Sequence, residues 1–428
     1  MSALIIIGVI ALLLAGGVAL AYVIGAAAVV AFLAVGRAEY LAVIPQRMFS
    51  QMDVFAIMAM PLFIWAGELM NRSGITRALI DLSMLLVGRV RGGLGHASVL
   101  TSVFFSGISG SAAADIAALT NTFVGQMEKR GYDPVYAGAL TAAASVIGPI
   151  IPPSIIFILY GAILSTDVAA LFAAGMIPGL LIAVALMVIN AWIAHREGHP
   201  GGTAADIPDW RPTLKMALPA LVLPAVILGG IVFGVMTPIE AGAVAVAASV
   251  VFGIWSRELT RAEFVESVQR TVVLSGVIFI FLAAGSLISY LVALSQFGDH
   301  VAAFVQSFGL SGVWYLLLLM AVFLVLGMGV DTMISLTLVA PLLIPVAIQQ
   351  GVHPVALGIM VCLNLTLGLI IPPMGGAIMM VASITGQGYW ALCKRIMPFV
   401  FAELVVLVLI VLFPDLSLAL PRWLGMLR

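Results

Sequence analysis

Apolar residues run through almost the whole chain in long stretches that short polar segments separate. The first stretch covers residues 3–36, and only 9% of the 428 residues are charged. A soluble domain carries about 25% charged residues, so this chain lacks the side chains to cover a surface in water. Because a helix needs about 20 apolar residues to cross a bilayer, the length accommodates about ten to fourteen membrane segments. The sequence therefore predicts an all-α, polytopic membrane protein of transporter or channel size.

The charged, histidine and cysteine residues exclude several other classes of protein. The formal net charge is −1, which leaves no basic surface of the kind that nucleic acid requires. The histidines show no HExxH spacing and no GxxxxGK motif is present, which excludes a metalloprotease and an ATP-driven pump. Cys362 and Cys393 lie in or next to apolar segments and are predicted to pack there. The apolar amino terminus lacks a positive n-region and is predicted to be a membrane helix.

Two parts of the chain match each other at a constant offset. GYDPVYAG at 131–138 aligns with GVHPVALG at 351–358, and GPIIPPS at 148–154 aligns with GLIIPPM at 368–374. The offset is 220 residues in both cases (351 − 131 and 368 − 148). The shared IIPP at this fixed register indicates an internal duplication.

The positions of the basic residues test how the two copies are oriented in the membrane. Five membrane crossings are predicted between residues 131 and 351, and this odd number inverts the second copy relative to the first. Lys and Arg favour cytoplasmic loops, and the loops near 166, 237, 295–312 and 352 contain neither. The alternate loops carry Lys129, Arg130, Arg196, Arg211, Lys215, Arg257, Arg261, Arg270, Lys394 and Arg395. The sequence thus predicts inverted repeats with these loops in the cytoplasm, and it leaves the topology of residues 1–92 open.

The Pro-Pro motifs are predicted breaks in membrane helices. Proline has no amide donor and moves the preceding residue away from helical geometry. A broken membrane helix survives only where protein or a water-filled cavity accepts its free backbone groups, and inverted repeats with such breaks are typical of secondary transporters. Unwound carbonyls coordinate Na⁺ and helix N-termini favour anions. The pattern predicts cotransport of an anion with a cation, with merely kinked scaffold helices as the simpler alternative.

A second interruption in each copy has the composition of a hairpin tip. SGISGSAAAD contains Ser106, Ser109 and Ser111, and Asp115 follows one helical turn later. Asp331 in GMGVDT lies 220 residues after Ser111 (331 − 111). Ionisable groups inside membrane segments are costly and usually functional, whereas serines also serve close helix packing. Weaker polar candidates are Ser145, Asn364 and Thr366, and the residues predicted to lie at membrane edges are Glu68, Glu240 and Glu403.

Intramembrane aspartyl proteases are an alternative from a different class. These enzymes pair a YD helix with a GxGD helix, and the chain contains Tyr132-Asp133 and a Gly327-Asp331 segment. The second motif is GxGxD, one residue too long. Asp133 also follows Arg130 at the predicted cytoplasmic end of its segment, so the two aspartates are predicted to lie too far apart to share a proton. The sequence therefore disfavours a protease.

The longest motifs resemble those of one transporter family. FSGISGSAAADIAAL at 105–119, GYDPVYAGALTAAASVIGPIIPPSI at 131–155 and IIPPMGG at 370–376 resemble the large, DctM-like membrane subunit of tripartite ATP-independent periplasmic (TRAP) transporters. The resemblance covers essentially the whole chain. It implies a non-enzymatic, elevator-type symporter that uses a Na⁺ gradient to import a small organic acid. Two re-entrant helical hairpins and two broken helices would form its moving transport domain.

The same resemblance implies a location and partners. The chain would lie in the lipid of the bacterial inner (cytoplasmic) membrane. A separate small four-helix membrane subunit (DctQ-like) and a periplasmic substrate-binding protein (DctP-like) would work with it. Sodium ions would be the coupling ions, and no organic cofactor or nucleic acid is expected. A self-sufficient Na⁺/carboxylate symporter of related architecture, which needs no binding protein, is the alternative within the transporter class.

Positions that match the family's motifs are expected to form two sodium sites and a substrate site. The first sodium site would contain Ser106, Gly107, Ser109, Ser111, Asp115, Ser145, Gly148 and Pro149. The second would contain Gly327, Gly329, Asp331, Thr332, Asn364, Thr366 and Gly368. Substrate would lie near Pro152, Pro153, Ser154, Pro372 and Pro373.

The chain departs from the family pattern in its second Pro-Pro motif. TPP is common there in the family, whereas this chain has Ile371, which removes a hydroxyl ligand. No arginine lies within the breaks of either repeat. Helix termini, or Arg89 or Arg91, are therefore expected to pair with the substrate carboxylate.

These motifs divide the chain into five predicted regions. They are an amino-terminal scaffold with an interfacial helix at 1–92, a first transport repeat at 93–165, scaffold helices at 166–312, a second transport repeat at 313–387 and a C-terminal helix at 388–428. Within the scaffold region, residues 195–213 are predicted to form a cytoplasmic linker between the two halves.

Overall fold

The computed structural model of the chain describes residues 2–34, 36, 38–203, 206–295, 301, 303, 307, 309 and 312–427, without the side chains of 2–4, 38, 108 and 109. Every regular element in these ranges is helical, which confirms the all-α prediction. The first ten α-helices are α1 (Ser2–Ala15), α2 (Leu20–Ala34), α3 (Ile44–Met52), α4 (Ala59–Arg72), α5 (Ile75–Val87), α6 (Gly93–Ser109), α7 (Ala112–Leu119), α8 (Gly125–Lys129), α9 (Pro134–Ala144) and α10 (Ile155–Leu164). They are followed by α11 (Val168–Glu197), α12 (Trp210–Val232), α13 (Pro238–Ser256), α14 (Arg261–Leu294), α15 (Val313–Gly329), α16 (Thr332–Gln349), α17 (Pro354–Gly368), α18 (Gly376–Thr385), α19 (Tyr389–Leu412) and α20 (Asp415–Trp423).

Several of these helices are long and apolar enough to cross a membrane. Among the described residues there are 6 such helices, namely α11, α12, α13, α14, α16 and α19. The pair Glu39–Met52 and Phe55–Arg72, bent by 61°, would make a seventh span. The number of membrane segments predicted from the sequence is larger, because breaks divide several apolar stretches into helices of 10–17 residues. These helices are shorter than the about 20 residues that one span needs.

The amino-terminal apolar stretch forms two helices, a point that its sequence leaves open. α1 ends at Ala15, and Gly17 follows with a φ of +74°, a left-handed conformation that glycine adopts without a steric penalty. The chain then starts α2 at Leu20.

Helix boundaries repeat at the offset that the sequence motifs predict. α6 and α15 start and end at positions that differ by 220 (313 − 93 and 329 − 109). The starts of α7 and α16 (332 − 112) and of α9 and α17 (354 − 134) have the same offset. The internal duplication is therefore confirmed, whereas inversion of the second copy stays a prediction.

The paired helices α9 and α17 also begin with the same local chemistry. The carboxylate of Asp133 accepts a hydrogen bond from the Val135 amide at 3.1 Å, and Nδ1 of His353 accepts one from the Val355 amide at 3.2 Å. A proline follows each capping residue, where its missing N–H leaves no helical hydrogen bond unmade.

The helices pack in two groups. One group contains both repeats, and in it α9 packs on α19, α15 on α17 and α18 on α7. In the other group α4 packs on α13, and α14 packs on α2, α3 and α4. Contacts of α5 with α6 and of α14 with α16 join the two groups. The long helix α11, from the predicted scaffold region, packs on α6, α19 and α20 of the first group.

The polar segment after α11 is packed against the protein and is not a free tether. The Gly92 amide donates a hydrogen bond to the Pro200 carbonyl at 3.2 Å, and the Gly202 amide donates one to the Gly88 carbonyl at 2.9 Å. The Tyr132 hydroxyl also donates to the Pro200 carbonyl, at 2.9 Å. The turn between α5 and α6 therefore lies beside the linker.

These hydrogen bonds place residues 72–92 at the same end of the helix bundle as the linker. Arg72 forms an ion pair with Glu266 of α14 at 2.9 Å, whereas Arg47 stacks over the Tyr290 ring at 4.1 Å near the other end of α14. We call one end of the molecule the basic end. It contains Arg72, the linker, the segments 129–133 and 257–260, and Lys394 and Arg395 near the start of α19. By the distribution of Lys and Arg, it is the predicted cytoplasmic end.

The prediction that Glu403 lies at a membrane edge is wrong. Glu403 lies midway along α19 with 0% of its surface exposed, because α9 and α11 pack against this helix. Within the part of the chain that the structure describes, neither carboxylate oxygen has a hydrogen-bond partner. Glu240 does lie at a helix end, where it forms a capping box with Thr237 at the start of α13.

Candidate functional site

The first repeat is interrupted between α6 and α7 at Gly110 and Ser111, which we call the first junction. Gly110 has a φ of +55°, and Ser111 is extended. A Cβ on Gly110 would lie 2.6 Å from the Pro153 carbonyl oxygen, and one on Gly107 would lie 2.9 Å from Cβ of Pro224. Both glycines therefore allow a close approach that a larger residue would block, and the junction packs directly on the first Pro-Pro loop, residues 148–154.

Asp115 lies one turn into α7 and contacts the start of that loop. Its side chain is fully buried, and a Cβ on Gly148 would lie 2.1 Å from its Oδ2 atom. The fold therefore brings together Asp115 and Gly148, two of the residues predicted for the first sodium site. Only a residue without a side chain leaves room for the carboxylate at this position.

The buried hydroxyl groups near the first loop donate to backbone carbonyls. Ser106 donates to Val103 at 2.6 Å, and Ser145 donates to Ala142 at 2.7 Å. Ser154 donates to the Pro149 carbonyl and also caps α10. A hydroxyl that donates its proton in this way keeps its lone pairs for a cation or a further donor. The side chain of Ser109, also predicted for this site, lies outside the described part of the chain.

The second repeat is interrupted at Val330 and Asp331, the second junction. Asp331 is exposed and caps α16, since its carboxylate accepts hydrogen bonds from Met333 at 2.9 Å and Ile334 at 3.4 Å. Of the residues close to it, Gly329 is exposed and Thr332 is half-buried. Asp331 is therefore placed to meet a ligand from solvent, in contrast to the buried Asp115.

In the second repeat, two glycines allow the backbones of α15 and α17 to approach each other closely. A Cβ on Gly368, at the end of α17, would lie 2.3 Å from the carbonyl carbon of Gly327 in α15. Nearby on α17, Asn364 is buried and donates to the Met320 carbonyl, and Thr366 donates to the Cys362 carbonyl. The Asn364 Oδ1 atom has no hydrogen-bond partner in the described ranges. An oxygen in that state is a suitable ligand for a cation.

Both junctions line one central cavity of about 440 Å³. Gly110 and Ser111 contribute from the first repeat, and Gly327, Gly329 and Asp331 contribute from the second. The starts of α7 and α16 also face this space. The fold therefore creates a single chamber between two segments that lie far apart in the sequence.

The residues predicted to hold substrate do not line the central cavity. Pro152, Pro153 and Ser154 are buried and do not line it, although Pro149 of the same loop does. In the second Pro-Pro loop, residues 369–375, Pro372 and Pro373 do not line it either. Each loop contains a cis Pro-Pro peptide bond. Neither pair contacts the chamber, so their role in substrate binding stays a prediction.

Sequence reasoning missed the methionines around the cavity. Five of them line it, and Met374 is 57% exposed; they are Met328, Met333, Met374, Met379 and Met380. Methionine adapts its shape to irregular surfaces. Met328 and Met374 each flank a glycine, and Met379 and Met380 follow the second loop within a few residues. That clustering beside the breaks is the signal that could have identified them.

The expectation that Arg89 or Arg91 reaches the substrate is wrong. Both lie in the turn between α5 and α6, which packs on the linker at the basic end. The 17 residues of α6 separate them from the first junction, a length of about 25 Å at 1.5 Å per residue. The sequence could not reveal that α6 runs straight to the junction.

The protease alternative is also excluded by position. Asp133 caps α9 at the basic end and pairs with Arg395 at 3.6 Å, whereas Asp331 lines the central cavity. An aspartyl protease needs both carboxyl groups to share one proton, which this separation prevents.

Two matched repeats around a chamber within a helical membrane protein define a membrane transporter. The solved structure of the YdaH transporter from Alcanivorax borkumensis has the same fold, with a TM-score of 0.66 at 15% sequence identity. The alignment covers 91% of this chain and 89% of that chain. A family model described as the DctM component of the tripartite ATP-independent periplasmic transporter matches residues 7–416, and the chain belongs to this family.

Curated relatives agree with this family. The sialic acid TRAP transporter large permease protein SiaM of Vibrio cholerae is 35% identical over 378 residues, 88% of this chain and 88% of that protein. The C4-dicarboxylate TRAP transporter large permease protein DctM of Pseudomonas aeruginosa is 32% identical, covering 89% of each chain. The protein is therefore a large permease of the TRAP class and not an enzyme.

Proposed function

We propose that this chain imports a small organic acid by cotransport with Na⁺, and that the acid binds in the central cavity between the two junctions. The cavity carries this proposal, because both repeats contribute to it and because its volume suits a small molecule. The starts of α7 and α16 face the chamber and bring partial positive charge, which favours a carboxylate although none of the described lining residues is an arginine.

The sodium ions are proposed to bind behind the two junctions. In the first repeat, Asp115 meets Gly148 at the break in the helix, where carboxylate, hydroxyl and free carbonyl oxygens are close together. In the second repeat, Gly327 meets Gly368, and Asn364, four residues earlier on α17, has an Oδ1 atom without a hydrogen-bond partner among the described residues. Oxygen ligands at unwound helices are what Na⁺ sites in secondary transporters use.

The nature of the cargo is supported by the names of the relatives. The Vibrio cholerae protein is named for sialic acid and the Pseudomonas aeruginosa protein for C4-dicarboxylates, and both compounds are acids. The family description is tripartite and periplasmic, which supports a small membrane subunit and a periplasmic binding protein as partners. We propose the inner membrane as the location, with the basic end in the cytoplasm.

An elevator mechanism is proposed for the movement. In this mechanism the helices that contain both repeats move as one body against α4, α13 and α14, carrying the cavity across the membrane. The division of the packing into two groups supports it, as do the contacts of α6 and α16 with helices of the other group. Two re-entrant hairpins would be the parts of the moving body that enclose the substrate.

A thermal unfolding experiment tests the sodium proposal. The midpoint of the purified protein is measured in NaCl and in KCl at equal ionic strength, for wild type and for Asp115→Ala. A ligand at about 100 times its dissociation constant adds about 2.7 kcal/mol to the native state, so a rise specific to Na⁺ is expected in wild type and not in Asp115→Ala. Asp209→Ala, which removes an exposed carboxylate that makes no capping bond, is the control that keeps the rise.

Equal midpoints of the wild type in the two salts would contradict preformed sodium sites. Uptake into vesicles, with and without the periplasmic binding protein, separates the two transporter hypotheses. Uptake that does not need that protein would favour a self-sufficient Na⁺/carboxylate symporter.

A further inference from the structure

Three cavities adjoin one another between the junctions and the basic end. The central cavity shares Ser111 and Met333 with a second cavity of about 100 Å³. The second cavity shares Glu68 and Leu274 with a third cavity of about 480 Å³. They form a series that starts at the two junctions and ends at the surface of α4 and α14.

The third cavity opens at the basic end. Arg270 and Glu266, in the first turns of α14, line it together with Glu68 of α4. This is the end that also holds the linker and the basic loops, so the series leads toward the predicted cytoplasm.

We propose that this series of cavities is the route by which the substrate leaves the central cavity toward the cytoplasm, and that Arg270 is the basic side chain that receives its carboxylate. The proposal rests on the proposed function for the nature of the cargo. The route itself depends only on the geometry of the cavities and on the end at which they open.

The second cavity is the constriction along this route. Its volume is about 100 Å³, whereas the cavities on either side measure about 440 and 480 Å³. Ile64 and Leu274 line it from one helix group, and Met333 lines it from the first turn of α16. Because Met333 belongs to the group with the repeats, a shift of that group against α4 and α14 changes the width of the constriction.

A chain of ion pairs forms the wall beyond the constriction. Arg72 lies 2.9 Å from Glu266 and 3.7 Å from Glu68, and its side chain is only 15% exposed. Arg270 lies 3.4 Å from Glu266, and its side chain is 60% exposed. The four charges sum to zero, so the wall neither repels nor traps an anion. Arg72 is held by two carboxylates, whereas Arg270 pairs with one among the described residues and can exchange it for the carboxylate of a passing substrate.

Cysteine labelling tests the route without any need for transport. Leu274→Cys is placed at the boundary of the second and third cavities, and Val272→Cys is the control, 64% exposed on the same helix but in none of these cavities. The native residues Cys362 and Cys393 are buried, so the unmodified chain serves as the blank. The probe is the anionic reagent 2-sulfonatoethyl methanethiosulfonate, applied to inside-out and to right-side-out membrane vesicles.

The expected result is labelling of Leu274→Cys about tenfold faster or more in inside-out vesicles, because the hydrocarbon core excludes the charged reagent from the other side. Val272→Cys is expected to stay unlabelled in both preparations. Equal labelling of Leu274→Cys from the two sides, or none from either, would overturn the route. None of these outcomes depends on sodium or on the identity of the substrate.

A pair of arginine variants tests the part assigned to Arg270. Arg270→Gln is expected to slow uptake about threefold to fivefold, the size of one exposed charge contact, and to keep the Na⁺-specific rise in unfolding midpoint. Arg261→Gln, at the first residue of the same helix and outside the cavity, is expected to transport at the wild-type rate. Unchanged uptake by Arg270→Gln would remove Arg270 from the route. Absence of the sodium response in the wild type would instead count against the proposed function.

Discussion

The two repeats share one backbone plan and distribute their polar residues in opposite ways. Ser111 of the first junction corresponds to Asp331 of the second, and Asp115 corresponds to Ser335 (335 − 115 = 220). A serine and an aspartate have thus exchanged places. In the first repeat the acid is fully buried against Gly148, and in the second it is exposed at the cavity. A duplicated fold can thus hold one carboxylate inside the protein and present the other to a ligand.

The two Pro-Pro loops differ in the same sense. The first is buried throughout and is closed by the Ser154 hydroxyl, which bonds to Pro149 across the loop. At the corresponding position the second loop has Met374, which is 57% exposed and lines the cavity. This loop is held from outside by the Tyr389 hydroxyl, which donates to the Pro373 carbonyl at 2.8 Å. The first repeat is therefore the closed one, and the second forms the open face of the chamber.

The largest expected change in stability is the difference between Gly148 and Gly368, the equivalent glycines that come just before the Pro-Pro motifs of the two repeats. Gly368→Ala places a methyl group 2.3 Å from backbone, which cannot rotate away, so the free energy of unfolding is expected to fall by about 3 kcal/mol. Gly148→Ala meets the Asp115 carboxylate, which can turn aside, so a smaller loss of about 1 kcal/mol is expected. Thermal unfolding in detergent measures both. Gly125→Ala, with open space around it, is the control without loss, and equal losses at 148 and 368 would contradict the contrast.

The second prediction compares the two acids. Asp115→Asn is expected to remove the Na⁺-dependent stabilisation, up to about 2.7 kcal/mol at about 100 times the dissociation constant, because a buried ligand loses its charge. Asp331→Asn is expected to change stability by less than about 0.5 kcal/mol, since asparagine caps a helix as well as aspartate does. Unfolding midpoints in NaCl and KCl measure the first effect. The contrast fails should Asp331→Asn lower the sodium response as much as Asp115→Asn.

The third prediction concerns the loops. Ser154→Ala removes a cap of α10 and a bond across the buried loop, so a loss of about 1 kcal/mol is expected. Met374→Ala, at the matching position, truncates an exposed side chain and is expected to stay within about 0.5 kcal/mol. Unfolding midpoints of the two variants measure the difference. A larger loss for Met374→Ala would show that the second loop is the more tightly held.

The smallest expected effect is a pH dependence of the stability of the first turn of α17, without the same dependence in the equivalent helix α9. Burial, and then the nearby Arg422, lower the pKa of His353, which caps α17 through Nδ1. The unfolded chain therefore binds this proton more readily, so the contribution of the cap is present above about pH 6.5 and is lost as the pH falls below it. The protection factors of the amides in the first turn of α17, that is, their exchange rates corrected for the intrinsic rate at each pH, are expected to fall in acid. His353→Asn should abolish that change, and an equal change in α9, which Asp133 caps, would refute it.

Much of this architecture could be predicted from local sequence. The Pro-Pro motifs and the glycines of the junctions break helices by their own chemistry, so the four interruptions fall where the sequence has them. The capping residues Asp133 and His353 act within one turn and are visible in the same way. Contacts across the fold are different. Nothing near Glu403 in the sequence indicates that α9 and α11 cover it, and nothing near Arg89 indicates how far α6 extends.

The sequence by itself determined the membrane environment, the helix breaks and the duplication, because hydropathy, proline geometry and an exact offset of 220 residues (368 − 148) are local or additive properties. Three further features became visible from the folded chain alone: Asp115 contacts Gly148, Asp331 faces the cavity, and the route to the basic end passes Arg270. These are relations between helices far apart in the chain. They depend on how side chains pack in three dimensions, which no pattern along the chain specifies.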